Sequence, residues 1–177
     1  IISPSDSGQA AKAIIAAIDI CEPVYIRCTG NQNIKPIYNE DFDYKIGKSI
    51  MLNDGDDIVV FSSGAVTRNV LDAVNKIKEE KNKYIKLIDM HTISPLDEDT
   101  LKENMKAKNW VSVEEHFISG GLGTAISEYL INSKESKKPM LKKIGINNKY
   151  VTPGDYPYLL KTNNLDTESI YKTLLNI

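Results

Sequence analysis

The sequence predicts an α/β protein: a three-layer α/β/α domain on a mostly parallel sheet with one antiparallel edge strand, spanning residues 46–177. Two observations carry this. Short β-branched and apolar runs alternate with helical patterns about every 25 to 30 residues, a spacing that fits parallel strands joined by crossover helices. The strand runs are also nearly continuous in apolar residues, as strands covered on both faces are. A third observation places the exception. "SIMLN" (49–53) reaches "DIVVFSS" (57–63) through only the turn "DGDD", too short for a crossover, so it reads as the antiparallel edge strand.

The elements follow in order. Asp6 with Gln9 three residues on reads as a capping box opening a helix through "QAAKAIIAAIDI" (9–20). "PVYIR" (23–27) is β-branched and aromatic and predicts a strand. From Cys28 to Gly47 the chain turns to Asn, Gly, Pro and Asp without periodicity, which marks a linker and a domain boundary. Behind "DIVVFSS", Val66, Val70, Ala73, Val74 and Ile77 share one helical face. "YIKLIDM" (84–90) is the next strand, and Leu101 and Met105 mark a short helix after "SPLDEDT". "WVSVEE" (110–115) follows, then Leu122, Ala125, Ile126, Tyr129 and Leu130 at helical spacing. "LKKIGI" (141–146) is the last strand, and Ile170, Leu174 and Leu175 stripe a terminal helix.

Composition narrows the function classes. With 177 residues, 41% hydrophobic and 26% charged, the chain suits one sizeable domain, or one domain plus a fragment. A net charge of -2 from well-mixed residues gives no basic patch, so nucleic acid is not an expected partner. No apolar run approaches a membrane span. "IISPSDSGQ" lacks the features of a signal peptide, and its start without Met reads as though something upstream has been removed. Cys21 and Cys28 form neither a disulfide framework nor a zinc pattern, which suggests a reduced, cytoplasmic setting.

Ligands of parallel α/β sheets bind beyond the carboxyl ends of the strands. Here those ends carry Ser62, Ser63 and Gly64, then Asp89 and His91, then Glu114, Glu115 and His116. No metal-ligand spacing is present. "FSSGAV" is not a G-x-S-x-G nucleophile elbow, so Ser62 and Ser63 read better as caps of the following helix. "GGLG" (Gly120, Gly121 and Gly123) opens a helix and offers free N–H groups to an anion, although its spacing is neither dinucleotide-binding nor P-loop. Glycines in this place also serve simply to turn the chain sharply.

Taken together, "PVYIR", "IGKSIMLNDGDDIVVFSSG", "DMHTISPLDEDTL", "VSVEEHFISGGLGTAISEYL", "IGINNKY" and "NNLDTESI" resemble, in order and spacing, the C-terminal part of the transketolase family. The likeness is greatest to the C-terminal half of bacterial and archaeal transketolases split into two polypeptides. Deoxyxylulose-phosphate synthases and the beta subunits of 2-oxoacid dehydrogenases are less similar. The resemblance implies an enzyme dependent on thiamine diphosphate and Mg²⁺ that transfers two-carbon ketol units, working as a homodimer when complete. It implies that 46–177 is the C-terminal domain, 34–45 a linker, and 1–33 the terminal fragment of the pyrimidine-binding domain. The glutamate that activates the cofactor, the aromatics around its ring and the metal motif lie upstream in the family. No catalytic residue or cofactor is therefore expected on this chain, and its implied partner is the N-terminal cofactor-binding portion or subunit.

In that light Glu114, Glu115 and His116, with Gly120, Gly121 and Gly123, read as interdomain or anion-loop positions. Arg27 matches the first arginine of the R-x-x-R pattern usual in split transketolases and is the substrate-binding candidate. Gly30 replaces the second, which grips the substrate phosphate, and glycine offers only a backbone N–H in place of a planar, bidentate fork. The substrate is accordingly expected to differ from the usual sugar phosphate. Other readings are a partner-docking domain like that of the 2-oxoacid dehydrogenase beta subunits, a deoxyxylulose-phosphate-synthase-like enzyme, and a stand-alone α/β hydrolase or nucleotide-binding protein.

Overall fold

A computed structural model describes residues 1–30, 35–38, 41–56 and 58–177. The ends of the expected fragment and linker at 31–34, positions 39 and 40, and Asp57 at the head of the expected strand run lie outside the described residues. The order is α1 (Ser7–Ile18), β1 (Ile50–Asn53), β2 (Ile58–Ser63), α2 (Thr67–Lys81), β3 (Lys86–Asp89) and α3 (Glu98–Glu103). There follow β4 (Asn109–Phe117), α4 (Leu122–Asn132), β5 (Met140–Ile146), α5 (Tyr156–Thr162) and α6 (Thr167–Leu175). The sheet runs β1-β3-β2-β4-β5, parallel throughout except that β1 pairs antiparallel with β3. The edge placement and direction of β1 are those the sequence predicts. Its neighbour is β3 rather than β2, the strand it adjoins in sequence, so the tight turn carries the chain across β3 instead of closing a hairpin.

Alternation along β2 separates two cores. Ile58 and Val60 face α2 and α6, meeting Val70, Val74, Ile77, Ile170 and Leu174. Val59 and Phe61 face α3 and α4, meeting Leu101, Trp110, Leu122 and Ile126. Each fully buried aliphatic side chain contributes about 1.5–3 kcal/mol, so these two faces supply the drive for the three-layer arrangement. Trp110 is fully buried because its indole N–H finds the Asn104 carbonyl at 3.1 Å.

Three expectations are corrected. Residues 23–27 form no strand: Ile26 makes only an isolated parallel bridge to Ile2, because no continuous strand lies beside it. Ser62 and Ser63 do not cap α2, which starts from Val66 without a side-chain cap, because both belong to β2 and end before the turn. The Asp6 cap is real: its carboxylate accepts from the Gln9 N–H at 2.8 Å, but the Gln9 side chain returns to the N–H of Ser5 rather than to that of Asp6.

Helix α1 docks by its N-terminal end. Gln9 and Ala13 are its buried residues, whereas Ile14, Ile15 and Ile18 are 53%, 65% and 76% exposed. What holds it is polar. The fully buried Asp89 carboxylate, at the end of β3, accepts from Ser5 Oγ (2.8 Å), Gln9 Nε2 (2.9 Å) and Tyr38 Oη (2.7 Å). Asp6 Oδ2 in turn accepts the backbone N–H of Ile37 and Tyr38, tying the segment before β1 to the same point.

Candidate functional site

The carboxyl ends of β2, β3 and β4 meet the N-terminal segment in a polar rim. The backbone N–H of Ser3 donates to the His91 carbonyl, and that of Gly64 to the Ser3 carbonyl. Gly64 has φ +73, and a Cβ there would lie 2.7 Å from Ser3 Oγ, so glycine admits both the turn and the close approach. Ile2 exchanges backbone hydrogen bonds with Tyr25 and Arg27, which lays residues 25–27 along the rim.

Burial sets the protonation chemistry of this rim. Asp89 is pushed up to about 6, chiefly by desolvation and against the pull of its three donors. His91, equally buried, is pushed down to about 4 by desolvation, with Asp97 opposing. Its ring stacks on Tyr44 at 4.4 Å, and its Nδ1 lies 3.0 Å from Thr92 Oγ1, which already accepts from the Gly47 N–H. The tautomer decides whether Nδ1 donates to the Thr92 hydroxyl or accepts from it, and Nε2 is a buried atom without a partner among the described residues.

The glycine-rich loop binds an anion, and that anion is Glu114. Its carboxylate accepts the N–H groups of Leu122 and Gly123, each at 2.8 Å, and sits at the amino end of α4. This satisfies two of the four orphan donors of the helix and places negative charge at the positive end of its dipole. Gly121 is required beside it, since a Cβ there would collide with the Glu114 carboxylate. The Gly120 N–H is taken by Thr124 Oγ1 at 2.9 Å.

Glu115 and His116 point elsewhere. The Glu115 carboxylate accepts from Tyr156 Oη at 2.6 Å, while its backbone carbonyl accepts from Arg27 Nη2 at 2.8 Å. Burial, then the Glu115 contact, raises the Tyr156 hydroxyl well above the usual phenol range. His116 is about 40% exposed at its side chain and donates from Nδ1 to the Phe117 carbonyl at 2.9 Å, leaving Nε2 as the acceptor of the neutral ring. Arg27, Ser3, Ser63, His116 and Gly120 line a crevice of about 230 Å³ at this rim. The sequence did not indicate Ser3 or Tyr156. The signal for Tyr156 was Asp155 followed by Pro157, an N-cap with proline in the first turn, which opens α5.

The amides that could cradle a diphosphate already hold Glu114, and among the described residues no group of three His, Cys, Asp or Glu converges as metal ligands. No helix among them is long and apolar enough to cross a membrane. Cys21 and Cys28 are both exposed and unpaired.

Comparison with known proteins places this architecture. The chain is 34% identical over 178 residues to a Methanocaldococcus jannaschii protein named for the C-terminal section of transketolase, covering 99% of this chain and 54% of that one. It is 31% identical over 178 residues to one of the subunits of apulose-4-phosphate transketolase from Phocaeicola vulgatus, covering 99% of this chain and 55% of that one. A solved split-gene transketolase, an inactive beta4 tetramer, superposes with a TM-score of 0.86 at 26% identity, over 99% of this chain and 55% of that one. The chain thus spans about half the length of the relatives it matches. Because the family model for the transketolase C-terminal domain matches residues 47–170, the chain belongs to that family.

Proposed function

We propose that this chain is the C-terminal section of a thiamine-diphosphate-dependent transketolase-type enzyme of the cytoplasm that transfers two-carbon ketol units. Thiamine diphosphate and Mg²⁺ are held by an N-terminal portion or partner subunit, and the complete enzyme works as a homodimer. Residues 46–177 are its C-terminal domain, 34–45 the linker and 1–33 the end of the pyrimidine-binding domain. The observation that carries this reading is α1: a helix apolar nearly all round, whose Ile14, Ile15 and Ile18 lie in solvent while its polar end is anchored at Asp89. Such a helix belongs against further protein.

Arg27 is the substrate-facing cation of this section and Glu115 its tether, while Glu114, His116, Gly120, Gly121 and Gly123 shape the junction between domains. With glycine at position 30, ordinary pentose phosphates are used weakly. Reconstitution with the N-terminal portion and cofactor tests the reading by assay of ketol transfer from xylulose 5-phosphate. Activity is expected only in the reconstituted enzyme, low with this donor and raised by Gly30→Arg. Turnover by the chain alone, or strong wild-type activity that the arginine does not improve, overturns it.

A further inference from the structure

Charges that lie well mixed along the chain as a whole are sorted by the fold at one pole. The loops from α3 to β4 and from α4 to β5 both lie at the amino ends of the parallel strands, opposite the rim that holds the N-terminal segment. Stretches 102–108 and 134–138 bring Lys102, Lys106, Lys108, Lys134, Lys137 and Lys138 there, and Glu103 and Glu135 are the only acids within them. That is a surplus of four positive charges in a chain whose net charge is -2. All six lysines are exposed, and among the described residues none of them forms an ion pair. Crowded like charges repel one another, and an anion placed among them relieves that cost.

A cleft of about 340 Å³ opens between the two loops. Lys106, Lys137 and Lys138 stand on it with Glu135, while Met105 and Ala107, which pack on the core beneath, supply its apolar surface. Two hydrogen bonds fix its margins. Lys138 Nζ donates to the Ile131 carbonyl at 3.3 Å, near the end of α4, and the Met140 N–H donates to the Lys108 carbonyl at 3.1 Å. They hold Ile131 and Met140, 76% and 75% exposed, beside the lysines.

The sign of the charge calls for an anionic partner, and the shape and lining of the cleft select its class. Among the described residues no arginine and no aromatic side chain lines it, so it lacks the bidentate fork and the stacking face that hold nucleic acids. A bilayer is flat and would leave the hollow empty. A protein segment fills it with an apolar side chain while its carboxylates meet the ammonium groups, an anchor ringed by charge. We propose that this pole docks an acidic protein segment carrying an apolar residue. The apolar residue lies against Met105 and Ala107, and the acids lie on Lys106, Lys137 and Lys138. Since the surface is at the far end of the strands from the rim, it stands independently of the ketol-transfer reading.

The test is titration of the 177-residue chain with a short peptide of aspartates and glutamates around a central leucine pair, read by amide chemical shifts. The peptide is expected to shift Lys106, Ala107, Ser136 and Lys137, with an affinity that falls as salt is raised. Lys106→Glu combined with Lys137→Glu reverses two exposed charges and should weaken it about tenfold or more. Lys149→Glu combined with Lys161→Glu, beyond the carboxyl end of β5, makes the same change in net charge and should weaken it far less. Serines in place of the peptide's leucines should weaken it about tenfold. No shift at these amides with millimolar peptide overturns the surface, and equal weakening in the two double variants overturns its location. A serine peptide that binds as tightly as the leucine peptide overturns the apolar anchor. A single-stranded oligonucleotide or phosphatidylserine vesicles shifting the same amides more strongly than the peptide overturns the assignment to a protein.

Discussion

Helices α1 and α2 are both rich in aliphatic residues, yet they are held by opposite means. Helix α2 lays Val70, Ala73, Val74 and Ile77 into a dry core, each at most 1% exposed. Helix α1 leaves its isoleucines in solvent and is fastened through Gln9 and the residues around its cap to the buried Asp89. The first attachment is non-directional and scales with area. The second depends on a handful of oriented hydrogen bonds around one carboxylate, and so responds to pH and to single polar substitutions.

The comparison breaks most sharply in the core. Ile77→Ala should destabilise the chain by about 2–5 kcal/mol, read as a lower urea midpoint with the slope kept. A loss under about 1 kcal/mol would mean that α2 is not the principal clamp.

Next in size is the response of the rim to pH. Asp89, with its folded pKa raised to about 6, stabilises the fold fully below about pH 4, and that contribution is lost as pH rises towards 6. His91, lowered to about 4, acts oppositely: its contribution is present above about pH 6.5 and lost as pH falls towards 4. Each amounts to about 3 kcal/mol, so the two nearly cancel in the wild type. Asp89→Asn should therefore expose a stability that rises between about pH 4 and 6.5, and His91→Phe one that falls. Parallel slopes in the two variants would show that these residues do not dominate the window.

A smaller loss is expected at the anchor of α1. Gln9→Ala removes a donor to Asp89 and the acceptor of the Ser5 N–H, at about 1–3 kcal/mol. Amide exchange should accelerate in α1 while β2 stays protected. Uniform acceleration in both would mean that α1 is part of the main cooperative unit. Least of all, Ile15→Lys should change the stability of the chain by less than about 0.5 kcal/mol, while weakening assembly with the N-terminal portion. A large loss of stability in the chain by itself would show that this face is already covered.

This contrast also explains what could be read from the sequence. The α2 stripe, the parallel strands and the antiparallel edge followed from periodicity and loop length, because burial on a regular element repeats along the chain. The partner of β1 did not, since the register of an edge strand is chosen by the strand already in place. Residues 23–27 have the composition of a strand, but a strand also needs a neighbour, and Ile2 provides only one bridge. Helix α5 buries no residue at all and so has no stripe to detect. In the candidate site, Glu114, His116 and the glycines were visible as residue types. That Glu114 reaches over the loop to the start of α4 was not, although an acid ending a strand just before a glycine-opened helix is a pattern worth seeking elsewhere.

Glu114 turns the glycine loop into a receptor whose guest is tethered. A group held in place by the chain competes with free anions at an effective concentration in the millimolar range or above, so phosphate in solution gains little access to those two amides. The loop that looks built to recruit a ligand is thereby kept closed to one. Shortening that single side chain would leave the helix end as an open berth, within reach of formate or acetate from outside. Related chains could thus gain or lose an anion receptor at this place through one substitution, with the backbone of the loop unchanged.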